Sequence, residues 1–241
     1  MNKIILRFHL TVIYGIVFLT VAFSAVAQDS SLNKYGLLVI HDATVLQNSI
    51  RNDPAKAMSD LKKKIPGLLF DLRYATANNF MRQQLYPDGT SAWLRKAAAD
   101  SLFRVQNELK QSGLGLKIFD AYRPYSVTEK MWELVKDDRY AADPKKGSNH
   151  NRGIAVDLTI INLRSRTELN MGTGFDNFTD TAHHTFTNLS GDILQNRLIL
   201  KTIMEKHGFK ALETEWWHYS LFNAADFELL DLDFTTLKKL K

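Results

Sequence analysis

The stretch GSNHNRGIAVDLTI, residues 147–160, constrains the fold more than any other, because it sets a carboxylate inside an apolar run. The alternation predicts a strand over residues 153–161, in which Asp157 shares its face with the small residues Ala155 and Thr159. Aspartate is depleted in strand interiors, and an unpaired buried carboxylate is very costly. We therefore expect Asp157 either to hold a cation or to escape burial.

Two histidines are candidates to join Asp157 in a metal site. His150 lies on the loop before the strand, and Gly153 lets the backbone turn tightly enough for His150 and Asp157 to converge. His218, in the stretch ETEWWHY, supplies a second imidazole. Two imidazoles, one carboxylate and a water form the ligand set of an open, catalytic zinc site. Taken singly, His150 also fits an exposed loop position, and His218 fits a hydrogen-bonded position in the core.

Glu215 is the candidate proton-transfer group. A carboxylate beside the metal can take a proton from the attacking water and return it to the leaving amine. Glu215 and His218 are three residues apart, which places them on opposite faces of a regular strand. If they share one site, a bend at the strand entrance is needed.

The N-terminal segment has its own pattern. Two basic residues precede an uncharged apolar run over residues 10–23, and the tripeptide AVA at residues 25–27 supplies a small-x-small cleavage site. This pattern predicts a signal peptide over residues 1–27 and an exported domain over 28–241, periplasmic or secreted and without stable membrane association after cleavage. An uncleaved anchor is the alternative, because residues 10–27 approach the roughly 20 residues that span a bilayer.

Composition excludes several classes of protein. The chain has no cysteine, so it can form neither a disulfide nor a lipoprotein anchor. Without the first 27 residues it carries 29 basic and 26 acidic residues, and this net charge of +3 is too weak to indicate a nucleic-acid partner. The five prolines are scattered and no repeat is present, which favours a single domain.

Helices and strands are mixed without a regular βαβ rhythm. Ser126 to Glu129 matches a capping box, and Asp192 matches an N-cap followed by Gly208 beyond the helix end. These patterns favour an α+β domain with a mainly antiparallel sheet. The predicted elements are a helix over 92–111, a strand over 116–122, a helix over 127–136, a helix over 192–207 and a strand within ALETEWWHYSLF.

Five ordered segments resemble one family. SNHNRGIAVD fits the S-x-H-x-x-G-x-A-x-D signature of the zinc D-alanyl-D-alanine dipeptidases, the VanX-like metallopeptidases, and EWWHY resembles their second signature. FDLRYATANNF, IFDAYRP and MGTGFD resemble further family segments in the same order, so the resemblance covers residues 68–221. It implies a compact α+β fold of the Hedgehog/D-Ala-D-Ala metallopeptidase type. It also implies one zinc ion per chain, with His150, Asp157 and His218 as ligands and Glu215 as the catalytic base.

The resemblance also implies roles for residues around the metal. Arg123 matches the arginine that stabilises the developing oxyanion, although an arginine at this turn can also satisfy carbonyls. Asp176 matches the aspartate that binds the substrate's amino group. Ser148 matches a serine near the substrate but equally fits a loop cap, and Tyr74 is expected to line the pocket.

Four aromatic or histidine residues near these segments receive simpler interpretations. His183 and His184 align with no family ligand, and adjacent side chains rarely converge on one ion, so we expect them to be loop or supporting residues. Trp216 and Trp217 are expected to form core and pocket wall.

The expected activity is hydrolysis of the small dipeptide D-Ala-D-Ala to two D-alanines. An exported enzyme of this kind fits cell-wall peptide turnover better than antibiotic resistance in the cytoplasm. The alternatives are a D,D-carboxypeptidase or L,D-endopeptidase acting on longer peptidoglycan peptides, and a non-catalytic peptide-binding module. Glu215 argues against the module, because binding alone needs no base beside the metal.

Overall fold

A computed structural model describes residues 32–240, so the predicted signal segment lies outside the described residues. Within residues 32–240, no helix combines the length and the apolar character needed to cross a membrane. The α-helices of this part of the chain are α1 (Ala43–Asn52), α2 (Leu61–Lys64), α3 (Lys96–Lys110), α4 (Tyr125–Leu134), α5 (Gly191–Lys206) and α6 (Phe234–Lys239). The strands are β1 (Val39–Ile40), β2 (Met58–Asp60), β3 (Leu69–Phe70), β4 (Trp93–Arg95), β5 (Leu114–Asp120), β6 (Ala155–Asn162), β7 (Phe209–Leu212), β8 (Glu215–Leu221) and β9 (Leu229–Leu230).

The central sheet has the strand order β3-β5-β6-β8-β7. Only the short β3 runs parallel to its neighbour, and the other three pairings are antiparallel. Two small ribbons complete the sheet content of the described chain, one pairing β1 with β9 in parallel and one pairing β2 with β4 antiparallel. The predicted α+β class with a mainly antiparallel sheet is confirmed.

Helices α3 and α5 cover one face of this sheet. Val156, Leu158 and Ile160 of β6 are fully buried in the same cluster as the apolar residues of both helices. Each such side chain contributes roughly 1.5–3 kcal/mol when fully buried. Because side chains alternate along a strand, Asp157 points to the opposite face.

Strand register brings polar residues together at one end of the sheet. Asp157 of β6 lies opposite His218 of β8 and, on its other side, opposite Asp120 of β5. The pairing of β7 with β8 shifts register, with Leu212 opposite Glu215 and the neighbouring Ala211 opposite Tyr219. Such a bulge bends and twists the strand, and it supplies the bend that the Glu215–His218 spacing requires.

Several predicted element boundaries were wrong, and in the first two cases the reason is a contact distant in sequence. The helix predicted from residue 92 begins at Lys96, since Trp93–Arg95 pair with Met58–Asp60 as a strand. The capping box at Ser126 does not form: α4 begins at Tyr125, and the Ser126 hydroxyl instead donates to Asp231, 2.7 Å away.

The third boundary concerns α5, whose N-cap is Ser190 rather than Asp192, which lies in the first turn. The strand predicted over 116–122 begins and ends two residues earlier, at Leu114 and Asp120. The helix predicted to reach residue 136 ends at Leu134.

Candidate metal centre and active site

His150, Asp157 and His218 converge at the end of the sheet. His150 Nε2 lies 3.3 Å from Asp157 Oδ2, and His218 Nδ1 lies 3.0 Å from Asp157 Oδ1. The two imidazole nitrogens are 3.1 Å apart. One donor atom from each residue lies within 4.8 Å of the others, so the three side chains could hold one metal ion.

The turn before β6 sets His150 over Asp157. Gly153 adopts φ +70°, and its N–H donates to the His150 carbonyl at 3.0 Å. A Cβ at Gly153 would meet the Met58 side chain at 3.2 Å, so both conformation and space favour glycine here.

Hydrogen bonding fixes which His150 nitrogen faces the cluster. His150 Nδ1 lies 2.6 Å from the Ala121 carbonyl, which can only accept, so Nδ1 carries the proton. Nε2 therefore presents its lone pair toward Asp157 and His218. A histidine ligand held in this way by a backbone carbonyl is a recurrent feature of metal sites.

Charge within the triad also suits a cation. Burial alone raises the pKa of Asp157, but the imidazoles of His150 and His218 outweigh burial and leave that pKa well below its usual range. Burial lowers the pKa of His218, and the hydrogen bond and charge of Asp157 reverse the effect to a net rise. An ionised carboxylate between two imidazoles is a ligand set that suits a metal cation.

Glu215 lies beside the triad, with Oε2 4.0 Å from His218 Nδ1. Burial raises the pKa of Glu215 to about 7, and the charge of Asp157 acts in the same direction. The bulge in β8 thus brings a proton-transfer carboxyl to the same side of the strand as His218.

Arg123 is buried at the wall of the site and held by one carboxylate. Its Nε and Nη2 donate to Asp120 Oδ2 at 3.0 and 2.8 Å, and its guanidinium lies 5.1 Å from the centre of the Tyr74 ring. Among residues 32–240, Nη1 has no hydrogen-bond partner. Arg123 therefore serves no turn carbonyl with its side chain.

Asp120 was not identified from the sequence. It is 1% exposed and also accepts a hydrogen bond of 2.8 Å from the Tyr86 hydroxyl. The available signal was its position in IFDAYRP, where an aspartate precedes the arginine by three residues.

Asp176 and Tyr74 form a second polar pair in the wall. The Tyr74 hydroxyl lies 3.2 Å from both carboxylate oxygens of Asp176 and donates to them. Asp176 adopts φ +58°, an uncommon conformation outside glycine. Burial and then the charge of Asp157 raise its pKa well above the usual value.

Ser148 caps its loop and also lines the cleft. Its hydroxyl accepts a hydrogen bond of 3.2 Å from the His150 N–H, which caps the loop. The side chain also lines the cleft above the triad.

All eight predicted site residues line one cleft of about 290 Å³. Trp217 lines it too, while Trp216 is buried and donates to Thr173 at 2.8 Å. The sequence did not identify the residues of the outer rim, which come from separate loops and have no shared pattern. They include Phe80, Arg139, Tyr140 and Phe178.

His183 and His184 do not reach this cleft. His183 lines a smaller adjoining hollow. His184 packs edge-on against Tyr219, and burial lowers its pKa to about 4. The interpretation of both as loop residues outside the ligand set fits their positions.

One cleft of this small α+β domain contains two histidines, an aspartate, a buried carboxyl group and a fixed arginine. This combination is typical of a metal-dependent hydrolase. The peptidase M15 family model, described as D-ala-D-ala dipeptidase, matches residues 55–238. The chain belongs to this family and is a metallopeptidase.

Named relatives agree with the family. The D-alanyl-D-alanine dipeptidase of Escherichia coli K12 is 36% identical over 71% of this chain and 88% of the relative. The D-alanyl-D-alanine dipeptidase of Enterococcus faecalis V583 is 30% identical over 68% of this chain and 90% of the relative. That of Enterococcus faecium is 32% identical over 67% of this chain and 89% of the relative. A solved structure of the LdcB LD-carboxypeptidase aligns with a TM-score of 0.36 and 22% identity, over 62% of this chain and 70% of that chain, a likeness too weak to bear on fold or activity.

Proposed function

We propose that this chain is an exported zinc enzyme that hydrolyses D-Ala-D-Ala to two D-alanines during cell-wall peptide turnover. Three relatives named as D-alanyl-D-alanine dipeptidases support the substrate. The observation that carries the proposal is the single cleft, in which the triad, Glu215 and Arg123 face one another. The pattern of residues 1–27 supports export.

His150, Asp157 and His218 would hold the zinc ion. When bound there, zinc polarises a carbonyl and lowers the pKa of a water. The Ala121 carbonyl keeps His150 in the tautomer that this role needs. The strand register keeps Asp157 and His218 side by side.

Glu215 would act as general base and then general acid. Its carboxylate takes the proton of the attacking water and returns it to the leaving amine, so both transfers occur at one side chain. A pKa that burial raises to about 7 suits a group that must both accept and release a proton near neutral pH.

Arg123 would stabilise the oxyanion of the tetrahedral intermediate. Asp120 holds the Nε and Nη2 edge of the guanidinium, which leaves Nη1 for the cleft. A charge fixed in advance of the reaction stabilises developing negative charge without reorganisation.

Asp176 would bind the free amino group of the dipeptide, with Tyr74 orienting its carboxylate. A buried ammonium needs a fixed anion. A bound ammonium would favour the ionised carboxylate, against the upward shift of the Asp176 pKa. Ser148, in the cleft wall beside His150, would contact the substrate.

The test is release of D-alanine by the purified protein from D-Ala-D-Ala and, in parallel, from a longer muropeptide ending in D-Ala-D-Ala. We expect rapid release from the dipeptide, and loss of both zinc and activity in His150→Ala, Asp157→Ala and His218→Ala. Faster release from the muropeptide would favour the D,D-carboxypeptidase alternative, and cleavage within its peptide would favour the L,D-endopeptidase. Retention of zinc by all three variants would contradict the ligand assignment.

A further inference from the structure

We propose that Asn151 is a positioning residue that locks the loop bearing His150 to the turn bearing Arg123, a role that rests on the proposed function. Asn151 is fully buried, next to His150 in sequence, and it does not line the cleft. It occupies a variable position of the S-x-H-x-x-G signature, so the family pattern assigns it no role.

The amide of Asn151 joins three separate segments. Nδ2 donates to the Arg123 carbonyl at 2.9 Å and to Thr128 Oγ1 of α4 at 2.8 Å. Oδ1 accepts from the Ser148 N–H at 2.8 Å. A carbonyl can only accept and an N–H can only donate, so these partners fix the orientation of the amide.

Backbone bonds make this connection reciprocal. The Arg123 N–H donates to the His150 carbonyl at 3.2 Å, while the Asn151 side chain donates back to the Arg123 carbonyl. The Leu230 N–H donates to the Asn151 carbonyl at 3.0 Å and holds the residue from a third side. The relative position of His150 and Arg123 is thus held by this reciprocal pair of bonds, one of which belongs to the Asn151 side chain, together with the bond from His150 Nδ1 to the Ala121 carbonyl.

The consequence for catalysis follows from the roles of the two residues it joins. His150 is a proposed zinc ligand, and Arg123 is proposed to act where charge develops. Loss of groups that orient metal ligands costs about 10- to 100-fold in affinity or activity, and a displacement of about 1 Å costs on the order of 10²-fold in rate. Since Arg123 is needed in the transition state, the loss should fall on kcat rather than KM.

The experiment uses Asn151→Asp in the full-length protein. An aspartate keeps the shape and the acceptor toward the Ser148 N–H but sets an oxygen against the Arg123 carbonyl. Asn162→Asp is the matched control, because Asn162 caps a loop at the far end of the same strand, accepting from Arg164 N and Ser165 N at 2.9 and 3.1 Å. Two preparations are measured. The zinc-loaded protein gives kcat and KM, with kcat normalised to the amount of folded protein, and the cobalt(II)-loaded protein gives the visible absorption spectrum.

We expect Asn151→Asp to bind one cobalt ion, to show shifted cobalt bands, and to lose about 10- to 100-fold in kcat with little change in KM. The control should match the wild type in all three. Unchanged cobalt bands together with an unchanged kcat per folded protein would overturn the proposal, even if the thermal stability fell, because a merely structural residue would give that result.

Thr128→Val provides a second test that disturbs the core less. It removes only the Thr128 acceptor of Asn151 Nδ2, and we expect the same signature in a smaller form. If Asn151→Asp does not fold, this variant decides, and a normal kcat with normal cobalt bands would overturn the proposal. A wild-type protein that binds cobalt but releases no D-alanine would contradict the proposed function instead, while the cobalt bands of the variants would still test the role of Asn151.

Discussion

Asp157, His218 and Glu215 reach the cleft from strands β6 and β8, and His150 joins them from the tight turn before β6, whereas Arg123, Ser148 and Asp176 reach it from loops. The first set, the cleft floor, is held by the pairing register of the sheet and, for His150, by the Gly153 turn and the bond to the Ala121 carbonyl. The second set, the cleft wall, is held by single side-chain contacts such as Asp120 with Arg123.

This difference between floor and wall corresponds to two functions, metal binding and substrate recognition. A sheet and the tight turn at its edge place donor atoms closely enough to share one ion, and this precision is needed for a metal. Loop residues held by individual bonds can be adjusted one at a time, which suits recognition of a particular substrate. Changes in the floor should therefore affect metal binding or proton transfer, and changes in the wall should affect how substrate and transition state are bound.

The largest effect should come from Glu215→Gln in the floor. The amide keeps the shape of the carboxyl but cannot take the water's proton, so kcat should fall by about 10²- to 10⁴-fold while zinc stays bound. Steady-state kinetics and metal analysis on the same preparation check this. Glu213→Gln, on a side chain 65% exposed two residues earlier, is the control. A loss of less than about tenfold would remove Glu215 from the role of base.

A somewhat smaller effect should come from Arg123→Ala in the wall. Removing a donor to the oxyanion typically costs about 10²- to 10³-fold, mostly in kcat. Zinc should remain, because Arg123 contacts no ligand side chain through a hydrogen bond. Loss of zinc would show that floor and wall are not separable, and an effect confined to KM would make Arg123 a ground-state binding residue.

Asp176→Asn should have a narrower effect on substrate choice. The wild type should cleave D-Ala-D-Ala far better than N-acetyl-D-Ala-D-Ala, because only the free dipeptide offers an ammonium to Asp176. A hydrogen bond to a charged group contributes about 1.5–3 kcal/mol, so the variant should lower this preference by about tenfold or more. Asp180→Asn, on a side chain 93% exposed in the same loop, should leave the preference unchanged. Equal wild-type rates on both dipeptides would exclude Asp176 as the amine anchor.

The smallest effect concerns stability in the metal-free protein. Glu215 has a folded-state pKa of about 7, above the ordinary value of 4.5, so the folded state holds its proton more tightly than the unfolded state. The contribution of Glu215 to stability therefore falls as pH rises from about 4.5 to about 7. Glu215→Gln should match the wild type near pH 4 and exceed it at pH 8 by roughly 1–3 kcal/mol, since each unit of pKa difference corresponds to about 1.4 kcal/mol.

Chemical denaturation of the chelated proteins at the two pH values measures that difference. If the variant and the wild type differ in unfolding free energy by the same amount at both pH values, burial does not destabilise the ionised form of Glu215.

The floor was largely predictable from the sequence, because it depends on local spacing. The apolar alternation around Asp157, the glycine at residue 153 and the three-residue gap between Glu215 and His218 predicted the strand, the tight turn and the bend. Each of these signals lies within one segment of the chain.

The wall was predictable only in part, because its contacts join distant segments. Asp176 and Tyr74 were identified through family segments, but their hydrogen bond spans 102 residues and nothing in either segment indicates it. The contact that displaces the Ser126 capping box spans 105 residues. Asp120 lies inside the segment IFDAYRP, but the sequence does not show its role. Its hydrogen bond to Arg123 forms only when β5 and the following turn are folded.

Titration of zinc into the chelated wild-type protein tests the central claim most directly. The claim is that the cleft floor binds one zinc ion and that the residues of the cleft wall position a free dipeptide for hydrolysis at this ion. Release of D-alanine from D-Ala-D-Ala should rise in proportion to added zinc and reach a plateau at one equivalent per chain. Full activity before zinc is added, or a plateau at a different stoichiometry, would contradict the account.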